Sequence, residues 1–127
     1  MKNLILPFIF TAVIFLSGCG NHELTKDSEG IADIICRSKG VTEQLTLEAT
    51  KPMPDPDKIA QLQAESEKIQ KEMNASYQVF NKKYAGKITD KKFNKEFEKE
   101  LSKALMNCKN LSEEDKKMLK ENLEEKN

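Results

Sequence analysis

Four side chains in this sequence could carry thiol or imidazole chemistry: Cys19, His22, Cys36 and Cys108. A thiol can act as a nucleophile, bind a metal as thiolate, or pair as a disulfide. Zinc requires four N, S or O ligands in a closed structural site. With one imidazole, His22, in the polar segment that follows Cys19, the sequence supplies no such set, so no metal and no cofactor is expected. A single histidine also leaves little room for acid–base or triad catalysis. No G-x-S-x-G elbow, phosphate loop, H-E-x-x-H helix, calcium loop or dinucleotide fingerprint occurs. Asp55 and Asp57 stand close together, but a helix start accounts for both. The sequence therefore names no catalytic residue, and the expectation is that the protein is not an enzyme.

The surroundings of Cys19 specify its chemistry. Met1-Lys2-Asn3 is a short start with one positive charge, and Leu4 to Phe15 is an apolar run broken only by Pro7 and Thr11. The run suits a signal-peptide core and is shorter than the roughly 20 residues that span a bilayer. Leu16-Ser17-Gly18-Cys19 follows, and it resembles the lipobox of bacterial lipoproteins. The resemblance implies a signal peptide over residues 1–18, cleavage before Cys19, a diacylglyceryl thioether on its sulfur, and often a third acyl chain such as palmitate on its new amino group. Two or three chains hold a protein on a membrane firmly, where one would not. Gly20, where Asp would retain a Gram-negative lipoprotein at the inner membrane, implies an outer-membrane anchor facing the periplasm in a host of that type.

Assigning Cys19 to lipid leaves Cys36 and Cys108 as an even pair in a chain routed to an oxidising compartment. One disulfide is the expectation, favoured over a metal site or free thiols. The chain balances 21 basic against 21 acidic residues. Loss of Lys2 with the leader leaves a formal charge of −1. That balance shows no footprint for nucleic acid, and no basic run lies next to Cys19 to read anionic headgroups.

These residues must be positioned by helices. Residues 19–30, polar and bounded by Gly20 and Gly30, read as the lipidated N-terminus and a flexible tether. The helical domain is expected over 31–127. Ile31, Ile34, Ile35, Val41 and Leu45 share a helical face. Residues 41–50 also alternate as a strand would, but no second alternating segment exists to pair with them, so a helix is expected there too. Pro52, Pro54 and Pro56 break the chain, with Asp55 as N-cap and Pro56 as the first helical residue. Ile59, Leu62, Ile69, Met73, Tyr77, Phe80 and Tyr84 predict one long helix, ended by Gly86 at C′. Thr89 is expected to cap a third helix striped by Phe93, Phe97, Leu101, Leu105 and Cys108. Ser112 then caps a short fourth one.

The fold class expected is all-α: a small antiparallel bundle of three main helices plus a short C-terminal helix, stapled by one disulfide. Its globular part is similar to small helical lipoproteins of bacterial envelopes, a likeness that transfers no residue role. Tyr77, Phe80, Tyr84, Phe93 and Phe97 are expected to form the core of the hairpin around Gly86. The alternative is a groove for an apolar ligand or peptide, whose binding residues the sequence does not single out. The function expected is a membrane-anchored envelope module that binds or scaffolds another protein. The alternative is a carrier for an apolar ligand in a groove between helices.

Overall fold

The structure is a computed structural model that describes residues 19–125. The expected signal peptide, 1–18, lies outside the described residues, as do 126 and 127. Four helices make up the described chain: α1 (Cys19–Ala49), α2 (Pro56–Lys83), α3 (Lys91–Leu105) and α4 (Glu113–Glu125).

Helix α1 is the axis on which the others are hung. α2 runs antiparallel to it, as shown by Glu48 with Lys58 at 3.2 Å, Arg37 with Glu72 at 2.7 Å and Asp27 with Lys83 at 2.6 Å. α3 lies on another side and runs parallel to α1, from Thr25–Glu100 at one level to Cys36–Cys108 at the next. α2 and α3 are thus opposed in direction, as the short connection between them requires, but they meet through their rings and not backbone to backbone. α4 packs on α3, and Asp115 ties it to Lys39 of α1 at 3.1 Å.

The expectation for residues 19–30 is corrected by the fold. They are not a flexible tether but the first three turns of α1. Leu24 is 3% exposed and packs with Ile31, Phe80 and Tyr84, while Ser28 is wholly buried. Three bonds to distant residues hold these turns: Thr25 to Glu100 at 3.0 Å, and Lys83 and Tyr84 to Asp27 at 2.6 and 2.8 Å. Helical stability in proteins comes mostly from packing of this kind and little from propensity. Gly30, which had suggested a linker, faces open space and obstructs nothing.

The core has two parts. Leu24, Ile31, Phe80 and Tyr84 form the first, with Ile35, Ile88, Phe93, Phe97 and Leu101 packed against it, so three helices share it. Ile34, Val41, Leu62 and Ile69 form the second, joined by Leu45 and Met73, and only α1 and α2 contribute. The last turns of α1 and the first turns of α2 are therefore a two-helix arm beyond the disulfide. Residues 41–50 are helical within that arm up to Ala49, and the alternation over them reflects surface threonines. Thr42, Thr46 and Thr50 each donate a side-chain hydrogen bond to the carbonyl four residues back, at 2.9 Å.

Caps account for most helix boundaries. Asp55 accepts from the backbone N–H groups of Asp57 and Lys58 at 3.0 and 3.2 Å, with Pro56 following it as expected. Ser112 and Asp115 bond reciprocally at the start of α4, a capping box in form. Two details differ from expectation. Asp90, not Thr89, caps α3, its carboxylate accepting from the N–H of Lys92 at 2.7 Å; a charged acceptor suits a helix N-terminus better than a hydroxyl. Helix α2 ends at Lys83 with Tyr84 as its cap, and no described glycine has a positive φ. Gly86 is thus not a left-handed C′ residue. The chain turns instead through Lys87 and Ile88, whose N–H groups both donate to the Tyr84 carbonyl at 2.8 and 3.1 Å.

Candidate functional site

Cys36 and Cys108 are joined, with an S–S length of 2.05 Å and Cα atoms 5.6 Å apart. Cys108 is 5% exposed. It follows the last turn of α3, and its bridge clamps that end to the middle of α1. α3 itself has no fully buried residue. Its attachment depends on a half-buried stripe, a few polar bonds and this covalent link. Next to it, Asn110 donates its side-chain N–H to the Cys36 carbonyl at 2.9 Å, lying across Gly40. A methyl at Gly40 would come within 2.5 Å of that amide nitrogen, so glycine at this position makes room for the α3–α4 connection.

At the end of the bundle where α1 begins, Asp27 receives both the Lys83 ammonium and the Tyr84 hydroxyl. The ammonium also lies 3.7 Å from Glu23 and 5.4 Å from the centre of the Tyr84 ring. The hydrogen bond to Asp27 raises the Lys83 pKa. Burial, then the bond to Asp27, raises that of the Tyr84 phenol. Both groups therefore keep their protons at neutral pH, and the arrangement is a fixed polar latch between α1 and α2.

At the opposite end Glu48 is 3% exposed. Its carboxylate accepts from Lys51 at 2.7 Å and from the N–H of Asp55 at 3.3 Å, and pairs with Lys58 at 3.2 Å. The Lys51 bond leads in holding its pKa down to about 2. A buried charge is tolerated only when bonded in this way. Glu48 thereby closes the proline-rich connection from below. Beyond it, Met53 is 88% exposed and Leu47 60% exposed.

The aromatic residues expected to cluster do so with one exception. The Phe80 ring centre is 4.7 Å from Tyr84, 6.3 Å from Phe93 and 4.6 Å from Phe97, and Tyr84 is 5.0 Å from Phe93. Tyr77 is 38% exposed and stands outside the cluster. The rings fill the space between α2 and α3 by packing on one another. A groove of about 460 Å³ lies elsewhere, lined by Lys39, Thr42, Glu43, Lys109, Asn110, Leu111, Ser112 and Asp115, seven of which are polar. A smaller one, about 200 Å³, adjoins the latch between Lys26, Ile31, Val79 and Lys83.

Cys19 is the first residue of α1, and the three residues before it in the lipobox lie outside the described ones. His22 is exposed on the same helix and not in a tether. Among the described residues no three His, Cys, Asp or Glu side chains gather as a metal site would require. No described helix is long and apolar enough to cross a membrane.

Sequence reasoning missed Glu48, Asp27 and Ser28. A signal for Glu48 did exist: it falls seven residues after Val41 on the buried seam. Ser28 likewise occupies the seam position between Leu24 and Ile31. Polar residue type concealed both. Compared with protein-family models, curated proteins and solved structures, the chain matches none of them.

Proposed function

We propose that this protein is a membrane-anchored envelope lipoprotein, held through acylated Cys19, whose helical domain binds or scaffolds another envelope protein. Its chemistry is that of anchoring and presentation, and no catalytic role is assigned to it. The outer membrane, facing the periplasm, is the proposed site in a Gram-negative host.

The observation that supports this reading is that Cys19, the proposed site of acylation, and an exposed apolar tip stand at opposite ends of one helix. α1 runs without a break from Cys19 to Ala49, 31 residues, which is about 46 Å at 1.5 Å per residue. At its far end the Pro52-Met53-Pro54 connection holds Met53 out on a short, stiff turn, with Leu47 exposed a turn earlier. An exposed methionine flanked by prolines adapts to a partner surface at small entropic cost. The carrier alternative requires an open apolar groove, and the packing of the four rings on one another gives it less support.

Photocrosslinking in cells tests the reading. A photoreactive residue in place of Met53 is expected to capture one recurrent envelope protein, and the same residue in place of exposed Lys71 is not. Equal, diffuse capture from both positions would contradict a binding role for the tip.

A further inference from the structure

The sequence has no basic run beside Cys19, but the fold brings one there. The segment from Lys82 to Lys95 holds six lysines and one acid, Asp90. It forms the end of α2, the turn, and the start of α3, and all six lysines are exposed. Lys83 is engaged by Asp27 and Glu23. Among the described residues the other five make no ion pair, and the Asp90 carboxylate is occupied by the helix N–H of Lys92. At the next level inward, Lys26 and Lys99 face five acids, Glu23, Asp27, Glu96, Glu98 and Glu100, so the positive excess is confined to the turn and the helix ends that flank it. The chain as a whole is neutral.

The levels of the helices place this charge beside the anchor. Thr25 and Glu100 are in contact, and α1 and α3 run parallel. Going back from that contact, Cys19 lies about 9 Å along α1 and Lys91 about 13 Å along α3 at 1.5 Å per residue. Lys91 therefore reaches the level of Cys19 or slightly past it. The turn is rigid as well: Tyr84, Lys87 and Ile88 are internally bonded, and Asn94 donates to the Ile88 carbonyl at 2.8 Å. Since α1 is helical from Cys19 onward, no slack chain separates this end from Cys19 itself, the residue that the anchored reading acylates.

We infer that the α2–α3 turn and its flanking helix ends form a basic face that rests on anionic phospholipid headgroups. The direction in which it meets the membrane rests on the anchored reading above. The potential of an anionic leaflet falls off within about 10 Å. A face fixed at the level of the anchor remains within that range, whereas one on a flexible tether would not. Each lysine that reaches the headgroups strengthens surface binding about fivefold. The lipid then supplies retention and the basic face supplies orientation, holding the bundle upright with Met53 directed away.

The test is amine footprinting of the native, lipid-bearing protein on vesicles, read by mass spectrometry. Zwitterionic phosphatidylcholine is compared with the same lipid containing about 30 mol% phosphatidylglycerol. Acylation of Lys87, Lys91 and Lys92 is expected to slow at least about threefold on the anionic vesicles, and to recover in about 0.5 M salt. Lys68 and Lys71, midway along α2, should be unchanged. In the triple variant K87Q/K91Q/K92Q, Lys82 should lose its protection.

Flotation with both vesicle types and equal lysine rates on each would overturn the basic face and leave the anchor standing. Failure to float with phosphatidylcholine would overturn the anchor, and the face would then be judged by the same footprint on anionic vesicles. Equal protection by soluble polyglutamate would make an acidic polymer the occupant and overturn the membrane assignment.

Discussion

Replacing Cys36 and Cys108 by serine should cost the domain a large part of its stability, and the loss should begin in α3 and α4. The bridge spans 72 residues. In the chain-entropy account, closing a loop of that length removes about 15 cal/mol/K from the unfolded ensemble, or about 4 kcal/mol at room temperature. Domains of this size have total stabilities of about 5–15 kcal/mol. With an unfolding entropy of about 2 cal/mol/K per residue, the melting temperature should fall by about 20 °C. The structure adds a spatial expectation. α1 and α2 share both parts of the core, while α3 has no fully buried residue and α4 packs on α3, meeting α1 through the Lys39–Asp115 pair. Without the bridge, amides of α3 and α4 should exchange with solvent well before those of the α1–α2 arm. Circular dichroism melting and hydrogen exchange of the oxidised and C36S/C108S proteins would measure both effects. A fall of less than about 5 °C, or uniform loss of protection in all four helices, would refute the reasoning.

Three smaller perturbations test the packing. Ser28 has a buried hydroxyl without a hydrogen-bond partner among the described residues, so Ser28→Ala should stabilise by about 1 kcal/mol in urea titration; destabilisation would mean that the hydroxyl has a partner. The pKa of Glu48 is held at about 2, below its ordinary 4.5. Its stabilising effect is therefore present above about pH 4.5 and lost as pH falls toward 2. The stability gap between the native protein and E48Q should close across that window, and a gap independent of pH would contradict the assigned bonds. Gly40→Ala gains about 1 kcal/mol in helix propensity but displaces Asn110 from the Cys36 carbonyl, a bond of similar worth. It should be nearly neutral alone and stabilising by about 1 kcal/mol beside N110A; strict additivity would count against that conflict.

Much of the architecture was legible in residue spacing. The apolar positions of α2 recur cleanly, three prolines mark the break before it, and the stripe from Phe93 to Leu101 is a strong amphipathic signal. The pairing of Cys36 with Cys108 followed once Cys19 was set aside. What failed was the start of α1. Its first three turns contain one large apolar residue, Leu24, and their seam position is serine, so periodicity had too few points to register. Their order comes from Tyr84, Lys83 and Glu100, residues more than fifty positions away, which local reading does not see. The same limit hid the basic face, since no charge count along the chain reveals that Lys87 and Lys91 end up beside Cys19. Glu48 was obscured for a different reason: a buried carboxylate looks like a surface one until Lys51, Lys58 and Asp55 are seen converging on it.

The most direct test of the account is the mass of the N-terminal peptide from protein extracted from cell membranes. The expected result is a chain that begins at Cys19 and carries two or three acyl chains on that residue, with Cys19→Ser protein no longer processed in this way. A peptide that begins at Met1, or an unmodified Cys19 thiol in membrane-bound protein, would contradict the anchor on which the proposed function depends.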